Sequence, residues 1–134
     1  MLDKDQVATA YLEFLTGTSD TLLDLLADDF HDHVSGRTGK DIWRVVRGWI
    51  DATWSDVTCD LHLCAEEGDR VVVWMTMSGT HIGSAFPWMQ GRAATGRRVD
   101  APQVHVFRVA GASIVEHWAV RDDLRVLEQI DAAD

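Results

Sequence analysis

The chain of 134 residues contains no asparagine and a single tyrosine, Tyr11. A mechanism that needs an asparagine carboxamide or a pair of phenols is therefore excluded. Cysteine is scarce, with only Cys59 and Cys64. Along one extended strand these two stand about 16 Å apart, beyond the reach of a disulfide. Reduced thiols in a cytoplasmic protein are the expectation, and the spacing fits no zinc motif. No apolar run approaches the roughly 20 residues of a membrane span. The opening Met1-Leu2-Asp3-Lys4-Asp5-Gln6 lacks the basic-then-apolar order of a signal peptide, so none is expected. There is no Gly-x-Ser-x-Gly elbow, phosphate loop or dinucleotide fingerprint, so no nicotinamide or flavin cofactor is expected. Positive charge is in deficit: the net charge of −10 repels nucleic acid and anionic membranes alike.

What is present reads as one domain over 1–134, long enough to enclose a core and a small pocket. The spacing of Val7, Tyr11, Phe14 and Leu15 predicts a helix over 4–16, ended by Gly17. Leu22, Leu23, Leu25 and Leu26 predict a second short helix, and His31-Asp32-His33 a polar break. Ile42, Val45, Val46, Trp49 and Ile50 predict a third helix over about 40–54. The period then changes to two at Val57, Cys59, Leu61 and Leu63, which is a half-buried strand. A turn at Glu66-Glu67-Gly68-Asp69 leads into a β-rich run, Arg70 to Met77, expected to be buried on both faces. Gly83 to Gly96 is an ordered excursion between strands. A strand over 97–109 follows, its pairing interrupted near Pro102, and then its partner over 113–121. The tail from 122 is a short helix or an extended segment. Helices first and antiparallel strands after give an α+β fold, with three helices on a curved sheet.

The order Gly79-Thr80-His81-Ile82-Gly83, Ala94-Thr95-Gly96-Arg97-Arg98-Val99, Val106-Phe107-Arg108-Val109 and Ile114-Val115-Glu116-His117-Trp118, with Asp122 four residues on, resembles the SnoaL-like polyketide cyclases of the NTF2-like superfamily. The resemblance runs from about His33 to Gln129. It departs from the family at Ala110-Gly111-Ala112-Ser113, where Asp-Gly-Lys is usual. It implies an NTF2-like cone, a curved antiparallel or mixed sheet on three N-terminal helices around a deep pocket. It further implies a cofactor-independent enzyme that closes a ring on an aromatic or polycyclic substrate by intramolecular aldol chemistry. A homodimer formed through the outer sheet face and a hydrophobic small molecule are the partners it implies. Other chemistries on the same fold are an isomerase, dehydratase, hydroxylase or epoxide hydrolase. The last uses Tyr and Asn and is disfavoured by the missing asparagine. A receptor that binds a small molecule without changing it is the reading from another class.

Glu116, Trp118, Val120 and Asp122 share one strand parity, and His117, Ala119 and Arg121 the other. If Trp118 faces the interior, Asp122 faces it too, and partial desolvation there would suit its carboxylate to proton transfer. Asp122-Asp123-Leu124 is also a good helix start, and pattern alone favours a cap. The resemblance makes Asp122 the catalytic acid/base. His105 shares parity with Gln103 and Phe107; it is either a proton partner of Asp122 or a histidine of the outer face or interface. His33 is placed near the pocket by resemblance, and His81 by the Gly-Thr-His element. The His31-x-His33 pair has no third ligand beside it, so no metal is expected. His62 and His117 read as surface or interface residues. Trp74, Trp88 and Trp118 are expected to line an aromatic pocket, with Phe86 and Met89 at its rim and Tyr11 as the one phenol able to donate to an oxyanion.

Overall fold

The computed structural model describes residues 1–133. Helix α1 spans Lys4–Thr16. It begins with a reciprocal cap, in which Gln6 N–H donates to Asp3 Oδ1 and Asp3 N–H to Gln6 Oε1, both at 2.9 Å. It ends at Gly17, whose φ of 75° is the left-handed conformation that lets the chain turn away. Val7, Tyr11, Phe14 and Leu15 form its buried stripe. A short helix α2, Thr21–Leu25, is followed at once by strand β1, Leu26–Asp32, and a two-residue strand β2, Arg37–Thr38. Helix α3 covers Asp41–Thr53 and buries Ile42, Trp43 and Ile50. Strands β3 (Trp54–Glu67), β4 (Arg70–His81), β5 (Arg98–Ala110) and β6 (Ser113–Arg121) follow, and helix α4, Asp123–Asp131, closes the chain.

The six strands make one curved, unclosed sheet in the order β2-β1-β6-β5-β4-β3. β1 runs parallel to β6, and the other pairings are antiparallel. A mixed sheet on one side of a helical layer is the α+β cone that the sequence implies. β1 is a correction, because Leu26 begins a strand rather than continuing a helix, and His31-Asp32 ends it rather than forming a break. Polar Asp28, Asp29 and His31 hide the strand. Only Leu26, Phe30 and Asp32 along it are buried.

Two more expectations change. β4 is buried on one face only: Val71, Val73, Met75 and Met77 point inward, while Trp74 is 47% exposed. Pro102 does not interrupt β5, since the ladder to β4 runs unbroken from Arg70–Arg108 to Thr80–Arg98. β6 pairs with β5 only from Gln103 onward, and the Pro102 carbonyl accepts from Asp122 N–H at 3.1 Å. The missing proline N–H therefore falls where the β6 ladder has already stopped.

The excursion from Ile82 to Arg97 leaves the sheet between β4 and β5 and carries a 3₁₀ turn at Pro87–Met89. Its neck is held by His81 N–H to Arg97 O (2.8 Å) and Gly96 N–H to His81 O (2.9 Å). At Gly83 a Cβ would lie 2.4 Å from the Ala52 carbonyl oxygen, so only glycine lets the excursion lie against the end of α3. Met89, fully buried, anchors its middle in the core.

Candidate functional site

A cavity of about 70 Å³ opens between the sheet and the helices. α1 contributes Tyr11 and Leu15, α3 contributes Val46 and Ile50, and the strands contribute Trp54, Met77, Ala101 and Gln103. Phe86 and Trp88 reach in from the excursion. Arg121, Asp122 and Asp123 bring charge at the point where β6 turns into α4, and Val126 closes the apolar wall.

Behind this cavity runs a buried polar row. Tyr11, Gln103, His105, His117 and Asp32 are each no more than 7% exposed. Tyr11 Oη is 2.9 Å from His105 Nε2, and Gln103 Oε1 is 2.5 Å from the same nitrogen. His105 Nδ1 meets His117 Nε2 at 2.8 Å. His117 Nδ1 donates to Asp32 Oδ1, also at 2.8 Å. Asp32 Oδ2 accepts in addition from Ser35 Oγ at 2.8 Å and from its backbone N–H at 3.3 Å. Strand alternation builds the row. Gln103, His105 and Phe107 share the inner face of β5; in register, Gln103 stands beside Arg121, His105 beside Ala119 and Phe107 beside His117 on β6. Parallel pairing of Asp32 with His117 brings in the carboxylate.

The electrostatics follow from burial. Desolvation raises the Asp32 carboxyl, but the hydrogen bonds from His117 and Ser35 outweigh it and hold the group below the usual carboxylate range. Desolvation, then the like charges of His117 and Arg121, push His105 well below the ordinary histidine value. Burial also lowers His117, with Asp32 pulling the other way. Burial strongly raises the Tyr11 phenol, which stays protonated.

Asp122 sits at the cavity wall, but not by the route that parity implies. The inner face of β6 carries His117, Ala119 and Arg121. Trp118 lies on the opposite face, stacked on His33 with centroids 4.5 Å apart and rings 5° from parallel, and the Arg70 guanidinium is 5.5 Å from its ring. Asp122 reaches the cavity because β6 has ended and the chain is turning into α4. There it also caps that helix, accepting Arg125 N–H at 3.1 Å, and it is exposed rather than desolvated.

The remaining expectations divide. Tyr11, Phe86 and Trp88 line the cavity. His105 stands one hydrogen bond behind it. His33 does not line it; its Nε2 pairs with Glu116 at 2.7 Å on the outer face. Trp74 is also outside, against His62 at 4.9 Å. His81 is fully buried beneath the excursion. Its Nδ1 accepts Thr95 N–H at 3.2 Å, and its Nε2 donates to Ser84 Oγ at 3.0 Å. His117, expected at the surface, is 4% exposed in the middle of the row. Sequence reading missed Asp32, His117, Gln103 and Arg121 as cavity or row residues. For Gln103 the parity with His105 was a usable signal. For Asp32 there was none. No group of three or more His, Cys, Asp or Glu among the described residues could hold a metal ion.

The curved six-stranded mixed sheet, the helices packed on it and a cavity lined from both are the NTF2-like fold. The chain belongs to the SnoaL-like polyketide cyclase family, whose model matches residues 5–130. The nogalonic acid methyl ester cyclase of Streptomyces nogalater is 26% identical over 122 residues, covering 87% of this chain and 88% of that protein. Among solved structures, IdmH from Streptomyces antibioticus is 27% identical with a TM-score of 0.77, covering 96% of this chain and 97% of that one. TsrD from Streptomyces laurentii has a TM-score of 0.83 at 24% identity, covering 99% and 100%, a likeness of fold. No helix among the described residues is long and apolar enough to cross a membrane.

Proposed function

We propose that the protein closes a ring on a polyketide-like substrate by acid/base catalysis, without a cofactor. The observation that carries this reading is the pairing, in one apolar cavity, of a carboxylate (Asp122) with a hydrogen-bonded phenol and amide (Tyr11 and Gln103). An intramolecular aldol closure needs those two kinds of group. Asp122 takes the proton from the carbon beside a carbonyl. The resulting enolate carbon attacks a second carbonyl of the same molecule, and the electron pair of that C=O moves onto its oxygen. Tyr11 and Gln103 hold this oxygen as its charge develops. Leu15, Val46, Ile50, Met77, Phe86 and Trp88 supply flat apolar walls for a ring system.

The mouth position suits Asp122 to its role. Open to water at the mouth, the Asp122 carboxylate can pass on the proton it has taken after each turnover. Because Asp122 also caps α4, the informative variant is Asp122→Asn, which keeps a capping side chain and removes the base. The assay is cyclisation of a methyl ester of the nogalonic acid type, followed by product analysis. General-base catalysis contributes about 10²-fold or more, so kcat is expected to fall by at least that much with the fold intact. Wild-type turnover by Asp122→Asn would sink the assignment. The same reading holds the chain as a homodimer through the outer sheet face, where Leu63, Trp74 and Val120 are exposed.

A further inference from the structure

We propose that Asp32, His117 and His105 form a proton store behind the cavity, holding one exchangeable proton and delivering it through Tyr11 Oη. The inference rests on the cyclase reading for its chemical use, and on the geometry of the row for its existence.

The row has three contacts that need an N–H from an imidazole: His117 to Asp32, His117 with His105, and His105 to Gln103. Asp32 only accepts. Gln103 presents its oxygen to His105, because its amide nitrogen is already donating to the Ala101 carbonyl at 3.1 Å. Two neutral imidazoles carry two N–H groups between them. The three contacts are all satisfied only when the pair holds a third proton, which gives one positive charge opposite the Asp32 carboxylate.

With two protons the row takes another arrangement. His117 Nδ1–H donates to Asp32, His105 Nδ1–H donates to His117 Nε2, and Tyr11 O–H donates to His105 Nε2. The Gln103 oxygen then faces a lone pair at 2.5 Å. Adding a proton turns His105 Nε2 into a donor to Gln103 and frees the Tyr11 O–H, whose other acceptor in the row is Gln103 Oε1 at 3.5 Å, to turn toward a substrate oxygen in the cavity. Opposing influences act on the charged state, and burial is the largest of them. Burial, Arg121 on β6 and His33 after β1 disfavour the charge, while Asp32 on β1 and the Gln103 oxygen on β5 favour it. Tyr11 on α1 and Cys59 on β3 stay neutral, because burial raises both.

The delivery step balances. After the C–C bond has formed, the new alkoxide takes the Tyr11 O–H proton. Tyr11 takes the Nε2–H of His105, and His105 takes at Nδ1 the proton on His117 Nε2. His117 keeps its Nδ1–H on Asp32, so the row ends neutral and Tyr11 ends as a phenol. Asp122 holds the proton removed from carbon. Water at the open mouth removes that proton and reloads the row. Tyr11 is then the catalytic acid, and Asp32 and His117 are positioning residues that act through it.

The experiment uses the full chain and two readouts. Imidazole ¹⁵N–¹H NMR against pH counts the protons on His105 and His117. The expected result is uptake of one proton by the pair, with Asp32→Asn moving that midpoint down by about one unit or more. Tyr11→Phe is expected to slow exchange of the His105 Nε2–H with water. Two independent titrations, or a midpoint unmoved by Asp32→Asn, would overturn the store; unchanged exchange in Tyr11→Phe would overturn the outlet. The second readout is ring closure beside solvent-deuterium exchange at the acidic carbon of the same methyl ester. In Asp32→Asn and Tyr11→Phe, exchange driven by Asp122 is expected to persist while closure falls about 10²-fold. The alkaline limb of kcat should shift to lower pH in Asp32→Asn. Closure at wild-type rate in Asp32→Asn overturns the store as the proton source and leaves the cyclase reading standing, whereas closure at wild-type rate in Tyr11→Phe overturns delivery and removes Tyr11 from the cyclase reading as well, which then rests on Asp122→Asn. No exchange and no closure by the wild type overturns the cyclase reading, while the NMR count still decides the store.

Discussion

Acidification should unfold this protein through its buried histidines before its carboxylates titrate. His105 and His117 are 3% and 4% exposed. Burial lowers the proton affinity of both in the folded state, while in the unfolded chain each titrates near its ordinary value of about 6.5. For a group with a lowered folded value, the unfolded state binds more protons as the pH falls, so stability must fall with it. Each proton bound only by the unfolded chain contributes a slope of about 1.4 kcal/mol per pH unit. With both imidazoles neutral in the fold, their joint slope below about pH 6 approaches 2.8 kcal/mol per unit, twice the single-proton figure, and His81, lowered by its own burial, adds to it with the same sign. Once the folded row has taken its one proton, the slope drops to about 1.4. Asp32 has the same sign in a different window. Its carboxyl is lowered in the fold, so its contribution is present above about pH 4 and is lost as the pH falls further. A domain of this size is typically stable by about 5–15 kcal/mol, so the histidine window alone removes a large share. The assay is urea unfolding followed by tryptophan fluorescence at several pH values from about 7.5 to about 5. Stability constant to within about 1 kcal/mol across that range would refute the burial argument.

Two further outcomes can be measured. His81 clamps both ends of the excursion through Thr95 and Ser84, so His81→Phe should cost about 1–3 kcal/mol in lost hydrogen bonds and speed tryptic cleavage after Arg92; unchanged cleavage and melting would show that the neck is held elsewhere. On the outer face, Val120 is 77% exposed and lies across Val104 of β5 from Trp74, and Val120→Asp should convert the expected dimer to monomer in light scattering with ring closure tested separately; a wild type already monomeric at working concentration would remove the dimer.

The parts of this fold that were legible in the sequence are those where one face alone is apolar. α1 and α3 show their buried stripes at helical spacing, and the change to a period of two after Trp54 marks β3. β1 was not legible, because a strand that buries only Leu26, Phe30 and Asp32 among acidic and histidine residues leaves no alternating apolar pattern. The site fails to show for a related reason. Parity states that His117 and Trp118 point opposite ways, but not which way is in. The larger apolar ring is the natural choice for the interior, and here that choice is wrong. An imidazole with a hydrogen-bond partner on each nitrogen can be buried at little cost. The indole of Trp118 instead finds cover on the outer face between His33 and Arg70. The partner that decides the matter is Asp32, 85 residues from His117 in sequence, and nothing local to either residue announces the other. Once that one contact is known, the rest of the row follows. His117 inward puts Ala119 and Arg121 inward, antiparallel register sets His105 and Gln103 beside them, and Tyr11 on the helix above is the only phenol left to meet them.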